Sequence, residues 1–235
     1  MKKLFTAKRL IRFIFAVFII STVFVIIRII LAPSVVPQGE DGEGVRVKAD
    51  YILMFLQSLL GIAAMLLPRI LKQKAGLVIP TGMIVGYAVF LFCAIYLGEV
   101  RAFYYRFENW DAILHTFSGA ALGALGFSFV SLLNRSEKIT FELSPFFVAL
   151  FAFCFALALG TLWELYEFGM DYLFGTNMQK FALETGELFV GQEALKDTMT
   201  DFIVDSLGAL GMSIIGYISL RFEKGWTEKL RIKKQ

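Results

Sequence analysis

Six apolar stretches, each about as long as the ~20 residues that a helix needs to cross ~30 Å of hydrocarbon, recur along this chain. They cover residues 10–32, 51–71, 77–97, 110–133, 145–171 and 198–220. Because 57% of the 235 residues are hydrophobic, no polar segment remains that could form a soluble domain. We therefore predict an all-α fold, a polytopic bundle of six transmembrane helices that forms one integral membrane domain over residues 1–235.

The first two stretches have recognisable ends. The first is longer than the roughly 7–15 apolar residues of a cleaved signal peptide, so we expect it to be an uncleaved span. Prolines and a glycine- and glutamate-rich run predict a polar loop over residues 33–50. Pro68, followed by Lys72 and Lys74, is expected to end the second span.

The distribution of lysine and arginine predicts the orientation. These residues are frequent in the N-terminal tail, in the 68–76 connection and after residue 220, whereas the loops 33–50 and 172–196 contain more acidic than basic residues. Basic loops stay on the cytoplasmic side of a membrane. We therefore expect a multi-pass plasma-membrane protein with both termini in the cytoplasm and with loop 172–196 outside.

Carboxylates and the one histidine collect near the predicted outer ends of the last three spans. They are Asp111 and His115 in the fourth, Glu164, Glu167 and Asp171 in the fifth, and Asp197, Asp201 and Asp205 in the sixth. At 100° per residue, each acidic triplet falls within an arc of about 60–80°, so it occupies one helix face. An ionised side chain in hydrocarbon costs roughly 2.5–3.5 kcal/mol, so these faces need partners or a bound cation. We predict that they meet in one extracytoplasmic pocket.

Small residues continue the same helix faces. Gly119 and Gly123 follow His115, and Gly208 follows Asp205. The spacing of Gly82 and Gly86 is a second close-packing signature of membrane helices. We expect tight packing at Gly82 and Gly86, and at Gly119 and Gly208 packing that also aims the acidic faces at one another.

Three ordered motifs resemble the YjdF-like family of bacterial inner-membrane proteins: Trp110-Asp111-x-x-x-His115-x-x-x-Gly119, Trp163-Glu164-x-x-Glu167, and Asp197-Thr198-x-x-Asp201 with Gly208-Ala209. The resemblance covers roughly the second half of the chain. It implies a multi-span membrane protein and supplies no activity. Asp171 and Asp205 lie outside the pattern, so we expect them to be accessory. The Asp-x-x-x-His pair at a span entrance is also similar, more loosely, to the VanZ-like membrane proteins.

One histidine among several carboxylates on facing helices is an arrangement that helical bundles use to bind divalent cations. Oxygen-rich sites with one imidazole suit Zn, Mn or Mg, and the sequence leaves the ion open. We expect Asp111, His115, Glu164 and Asp201 to be the metal ligands, with a Glu164 and an Asp201 oxygen within ~5 Å of a His115 nitrogen. Asp111, one turn away, is expected to orient the imidazole ring.

If a metal is bound, we expect an enzyme in which the ion polarises a phosphoryl or acyl oxygen or activates water, with Glu167 or Asp197 as the base. A site at headgroup depth favours a lipid or lipid-linked substrate. Arginines that could bind a phosphate are sparse on the predicted outer side, with Arg28, Arg101 and Arg106 as candidates, which counts against a phosphatase.

Two further interpretations remain open. Carboxylates and histidine inside a membrane also mark cation or proton transport, although the inner halves of the last three spans contain almost no polar residues, and a homodimer would have to supply a second gate. The third interpretation is structural, because Asp111 and Asp197 lie near the starts of their spans, where acidic residues cap helices.

Loop 172–196 is expected to form an amphipathic lid over the site. The expected partners are the bilayer and a lipid or cation ligand, without nucleic acid.

Overall fold

The computed structural model describes residues 2–35, 46–133, 143–183 and 187–234, and for residues 2–5 only the backbone. Within those ranges, six helices are long and apolar enough to cross a membrane. They are α1 (Lys2–Leu31), α2 (Lys48–Ala75), α3 (Thr81–Leu91) with its π-helical continuation Phe92–Val100, α5 (Trp110–Leu133), α6 (Pro145–Phe174) and α7 (Gln192–Arg221); a short α4 (Phe103–Arg106) precedes α5. The predicted all-α bundle of six apolar helices is confirmed.

Several helix ends differ from the predicted spans. Helix α2 continues through Pro68 to Ala75, four residues beyond the predicted end at residue 71, so Pro68 does not help to end it. A proline is tolerated in a membrane helix when neighbouring groups satisfy the freed carbonyl. The third helix extends to Val100, and α7 already begins at Gln192, which shortens the loop after α6. Parts of the predicted loops 33–50 and 172–196 lie outside the described residues.

Local sequence explains where α6 begins and ends. The Ser144 hydroxyl accepts a hydrogen bond from the Phe147 amide at 3.2 Å, and Pro145 occupies the first turn, where its missing N–H costs nothing. At the other end Gly175 has φ of 63°, a left-handed conformation that suits glycine. The chain therefore turns sharply at Gly175 into the loop that lies over the polar end of the bundle.

The long helices form two groups of three. Helices α5, α6 and α7 pack closely, because a Cβ atom at Gly119 would collide with the Asp205 carbonyl and one at Gly208 would collide with the Thr116 carbonyl. The other group, α1, α2 and α3, packs around a core that includes Phe18 and Ile95. The predicted tight packing at Gly119 and Gly208 is therefore confirmed.

The C-terminal segment ties the two groups together at the end where α2 stops. Strand β1 (Leu77–Val78) pairs antiparallel with β2 (Lys233–Lys234). Just before β2, the Ser128 hydroxyl on α5 bonds the Leu230 carbonyl and accepts a hydrogen bond from the Ile232 amide. The tail therefore joins α5 to the α2–α3 connection.

A cavity of about 1720 Å³ lies between the two groups of helices. Gly82 and Gly86 line it, and a Cβ atom at Gly82 would meet no atom within 4 Å, while one at Gly86 would meet only Phe117, at 3.9 Å. The expected close packing at these two glycines is therefore wrong. Their missing side chains leave room in the cavity instead.

Candidate metal centre and cavity

His115 lies among three aspartates from two helices. Its Nε2 atom is 3.7 Å from Oδ1 of Asp111 and 3.8 Å from Oδ2 of Asp201, and its Nδ1 atom is 3.3 Å from Oδ2 of Asp205. His115, Asp201 and Asp205 are all buried, with at most 8% of each exposed. The predicted convergence of the α5 and α7 acidic faces is therefore present in the structure.

Helix geometry and glycine packing together position this cluster. Asp111 and His115 are one turn apart on α5, and Asp201 and Asp205 are one turn apart on α7, so each pair occupies one face. Gly119 lets the α7 backbone approach closely at Asp205, and on α6 a Cβ atom at Gly160 would stand 2.9 Å from Oδ2 of that residue. All three helices thus approach one another closely around Asp205.

Asp205 holds the imidazole ring. Its Oδ2 atom faces His115 Nδ1, and its Oδ1 atom accepts a hydrogen bond from Ser118 Oγ at 2.9 Å. When Nδ1 carries the proton, the lone pair of Nε2 points toward Asp111 and Asp201. We expected Asp111 to orient the ring, but the carboxylate nearest to the imidazole is that of Asp205, at Nδ1.

Lys180, from the loop after α6, is the basic residue in contact with the cluster. Its ammonium group bonds Oδ2 of Asp111 and lies 2.9 Å from Oδ1 of Asp197. Burial by itself lowers the pKa of Lys180, but the two carboxylates outweigh burial and hold this pKa above its ordinary value. Lys180 is therefore a permanent cation that neutralises part of the acidic charge.

Asp171 organises the loop that carries Lys180. Its Oδ1 atom accepts hydrogen bonds from the Thr176 hydroxyl at 2.6 Å and the Met178 amide at 2.7 Å, and its Oδ2 atom accepts one from the Gln179 amide at 2.9 Å. These contacts satisfy loop donors that would otherwise be buried without partners. Asp171 therefore supports the loop and is not in direct contact with His115.

Helix α6 contributes two glutamates with different surroundings. Both carboxylate oxygens of Glu164 are buried and form no hydrogen bond with any described residue, although Glu164 interacts electrostatically with His115 and Asp205. Glu167 instead accepts a hydrogen bond from Trp163 Nε1 at 2.9 Å and lines the cavity. Glu164 thus has the unused coordination capacity of the pair.

The donor atoms fit a small divalent cation. One ligand atom each from Asp111, His115 and Asp201 lie within 4.8 Å of one another. Two ligands of a tetrahedral ion with bonds of about 2.1 Å stand about 3.4 Å apart, close to the separations measured from Nε2. Oδ2 of Asp201, like both Glu164 oxygens, is buried with no hydrogen-bond partner among the described residues. Unused buried oxygen atoms beside an imidazole are what a cation would satisfy.

The structure therefore brings some of the predicted site residues together and not others. Asp111, His115 and Asp201 come together as a possible ligand set, whereas Glu164 is outside that set of three. Of the two proposed bases, Asp197 has one oxygen paired with Lys180, and Glu167 faces the cavity. The expected approach within 5 Å of a His115 nitrogen is met by Asp201 at 3.8 Å, and for Glu164 it stays a prediction.

Sequence reasoning missed Lys180 and Glu99. Lys180 belongs to a loop with more acidic than basic residues, although buried carboxylates require a countercharge nearby. Glu99 lies two residues beyond the predicted end of the third span at residue 97. It lies in the π-helical segment, lines the cavity, and accepts a hydrogen bond from Gln57 Nε2 at 3.1 Å. A carboxylate at the end of an apolar run was the available signal for Glu99.

A second polar group surrounds Glu99 at the same end of the cavity. The Arg46 guanidinium donates hydrogen bonds to the carbonyls of Glu99 at 2.9 Å and Val100 at 3.2 Å. The Tyr104 ring lies 5.7 Å from the Lys180 ammonium. Burial raises the pKa of Tyr104 well above its ordinary value, and the Asp111 and Glu99 carboxylates raise it further. Tyr104 therefore keeps its hydroxyl proton at neutral pH.

These features define a polytopic membrane protein with a buried histidine and carboxylate cluster at one end of a cavity. The chain belongs to the family described as "Predicted membrane protein (DUF2238)", whose model matches residues 11–222. It is 28% identical over 121 residues to an "Uncharacterized protein" of Thermotoga maritima, a match that covers 52% of this chain and 54% of that relative. The match thus spans about half the length of that relative. No solved structure matches the chain.

Proposed function

We propose that this protein is a divalent-cation-dependent enzyme of the plasma membrane that acts on a lipid or lipid-linked substrate. In this proposal both termini are cytoplasmic, the cluster faces outward, and the family is the same as the YjdF-like group that the three motifs resemble. The ion is Zn, Mn or Mg, held by Asp111, His115 and Asp201, with Glu164 completing the site.

The observation that carries the proposal is the joining of two unlike environments in one cavity. Asp111, His115, Lys180 and Glu167 line its polar end. Apolar side chains line most of the remainder: Leu60, Ala64, Leu67, Phe90, Phe117, Leu125 and Met212. A substrate that fits both ends has a polar group to react and an apolar chain to bury. A bilayer lipid is the abundant molecule with that construction.

The residues have distinct roles in this proposal. A cation at the His115 cluster would polarise a substrate oxygen or activate water. Asp205 orients the imidazole and Ser118 in turn holds Asp205. Glu167 is the general base, because it faces the cavity and Trp163 is its hydrogen-bond partner. Asp197 and Lys180 instead fix the position of the Asp111 carboxylate.

Cation or proton transport is the second candidate, and one observation favours it. The cavity extends from His115 as far as Leu230 and Ile232, near the opposite end of the bundle. A path for ions needs polar groups along its length. The part of the cavity between His115 and Leu230 is lined mainly by apolar side chains, which suits a lipid chain better than an ion.

One pair of assays separates the candidates. Purified protein is incubated in detergent with extracted membrane lipids, with Zn, Mn or Mg or with chelator, and lipid products are identified by mass spectrometry. Cation and proton flux is measured in parallel in proteoliposomes. We expect metal-dependent turnover that is lost in Glu167→Gln and kept in Glu193→Gln, a matched change at an exposed position. Flux without turnover would contradict the enzyme and support transport.

A further inference from the structure

We propose that Arg101 and Arg106 bind the phosphate of an anionic phospholipid whose acyl chain occupies the apolar part of the cavity. The inference deepens the proposed function and, as a statement about the substrate class, rests on it. It commits the occupant to a bilayer phospholipid.

Arg101 and Arg106 are two cations at the polar end of the cavity. Both line the cavity and both are exposed. Neither side chain forms a hydrogen bond or salt bridge with a residue in the described parts of the chain. Two guanidinium groups can each donate paired hydrogen bonds to phosphate oxygens, which gives both charge and shape complementarity. An anionic group at this position would be their natural partner.

The backbone that carries these arginines is held in place. Arg46 binds the carbonyls of Glu99 and Val100, immediately before Arg101. Ala102 has φ of 59°, a left-handed conformation that a non-glycine residue rarely adopts without support. A Cβ atom at Gly98 would collide with the Tyr104 ring, so the turn after the π-helical segment packs tightly. The two arginines are thus presented by a constrained turn.

The space below the arginines suits a lipid chain. The cavity volume of about 1720 Å³ exceeds the roughly 300–1,000 Å³ of typical small-molecule pockets. Gly82 and Gly86 keep part of this space open on α3. The same cavity reaches Lys180, His115 and Glu167 at the polar end. A phospholipid bound at Arg101 and Arg106 therefore places its headgroup beside the His115 cluster.

The test measures binding of a defined lipid. Full-length protein, delipidated in detergent, is titrated with phosphatidylglycerol, and bound lipid is counted by native mass spectrometry. We expect the Arg101→Gln, Arg106→Gln double variant to bind at least about tenfold more weakly, because charge-assisted hydrogen bonds are lost. Arg221→Gln, at an exposed position outside the cavity, should bind like the wild type. Diacylglycerol with the same chains should bind as weakly to the wild type as phosphatidylglycerol does to the double variant.

A second pair of variants tests the chain-binding part. Gly86→Leu places a bulky side chain inside the cavity. Gly211→Leu is the control: it adds the same side chain on α7, outside the cavity, where a Cβ atom would meet nothing within 4 Å. We expect Gly86→Leu to bind phosphatidylglycerol at least about tenfold more weakly and Gly211→Leu to bind it normally. Equal binding by the two leucine variants would overturn this part of the inference.

The outcomes also separate this inference from the proposed function. Arginine-dependent binding of phosphatidylglycerol without turnover of any lipid would support the phospholipid site and reject the enzyme. If lipid turnover depends on metal but the double variant binds phosphatidylglycerol as tightly as the wild type, the phospholipid site alone is rejected. Equal binding of phosphatidylglycerol and diacylglycerol to the wild type would also reject it.

Discussion

Nδ1 of His115 lies 3.3 Å from Oδ2 of Asp205, although the two residues are 90 positions apart. A carboxylate on one imidazole nitrogen fixes the ring and makes the other nitrogen a better metal ligand. The free nitrogen, Nε2, faces Asp111 and Asp201. Asp205 therefore supports the ring at Nδ1, and Nε2 faces the other two aspartates.

Asp205→Asn should weaken metal binding without removing it. The substitution keeps the side-chain shape but removes the charge that supports His115, and such changes cost about 10–100-fold in metal affinity. Titration of the purified variant with Mn²⁺ measures the loss. Glu193→Gln is the matched control, because Glu193 is an exposed carboxylate that pairs with Lys196 and lies outside the cluster. Equal affinity in the Asp205 variant and the wild type would remove Asp205 from the site.

Asp171→Asn should instead loosen the loop after α6. Asparagine replaces one carboxylate oxygen by an NH2 group, which cannot accept a hydrogen bond. A buried donor left without a partner costs about 1–3 kcal/mol. Met178 and Gln179 donate to different oxygens of Asp171, so we expect whichever of these two amides faces the NH2 group to exchange hydrogen at least about tenfold faster. Hydrogen exchange read by mass spectrometry over residues 175–183 measures the change. Unaltered exchange there would show that other contacts hold the loop.

Gly208→Ala should destabilise the bundle, and Gly82→Ala should not. The added methyl group at Gly208 collides with the Thr116 backbone carbonyl, and overpacking of this kind costs about 1–3 kcal/mol. At Gly82 it meets no atom within 4 Å, and alanine favours a helix over glycine by roughly 0.5–1 kcal/mol. Thermal unfolding in detergent compares the two, with Gly211→Ala as a second open position. Similar melting temperatures for the alanine variants at residues 82 and 208 would contradict the packing described.

Lys180→Met should lower stability at neutral pH, and the difference from the wild type should narrow above pH 10.5. The pKa of Lys180 in the folded protein is raised above its ordinary value of 10.5, so its ion pairs stabilise the fold fully below that pH. Above it, the unfolded chain loses the proton first, and stabilisation declines until the folded-state pKa is passed. Melting temperatures measured from about pH 7 to about pH 11 should show a constant gap that then narrows. A gap that widens with pH would reverse the sign of this effect.

The sequence was sufficient for the helices and for the meeting of the acidic faces. Apolar length alone predicts six membrane helices, because hydrocarbon thickness sets it. The cost of a lone charge in hydrocarbon forces Asp111, His115 and Asp201 to find partners, and helical spacing shows which face they share. Both arguments rest on local features, the length of an apolar run and the spacing of residues along a helix, which a single sequence contains.

The remaining features depend on distances between segments far apart in the chain. Gly82 and Gly86 have the same spacing as Gly119 and Gly123, yet the first pair lines a cavity and the second lies in a close helix contact. The sequence signature is identical, so only the position of the neighbouring helix distinguishes them. The contact of Lys180 with Asp111 likewise depends on the path of a loop, which periodicity does not predict.

The most direct test of the central claim is the metal content of the purified protein, measured by elemental analysis for the wild type, His115→Ala and Glu164→Ala, with Glu193→Gln as a control. The account predicts about one Zn, Mn or Mg ion per wild-type chain, the same in the control, and little metal in either site variant. A wild-type protein that binds no divalent cation after incubation with each ion, or a His115→Ala variant that retains a full complement, would contradict it.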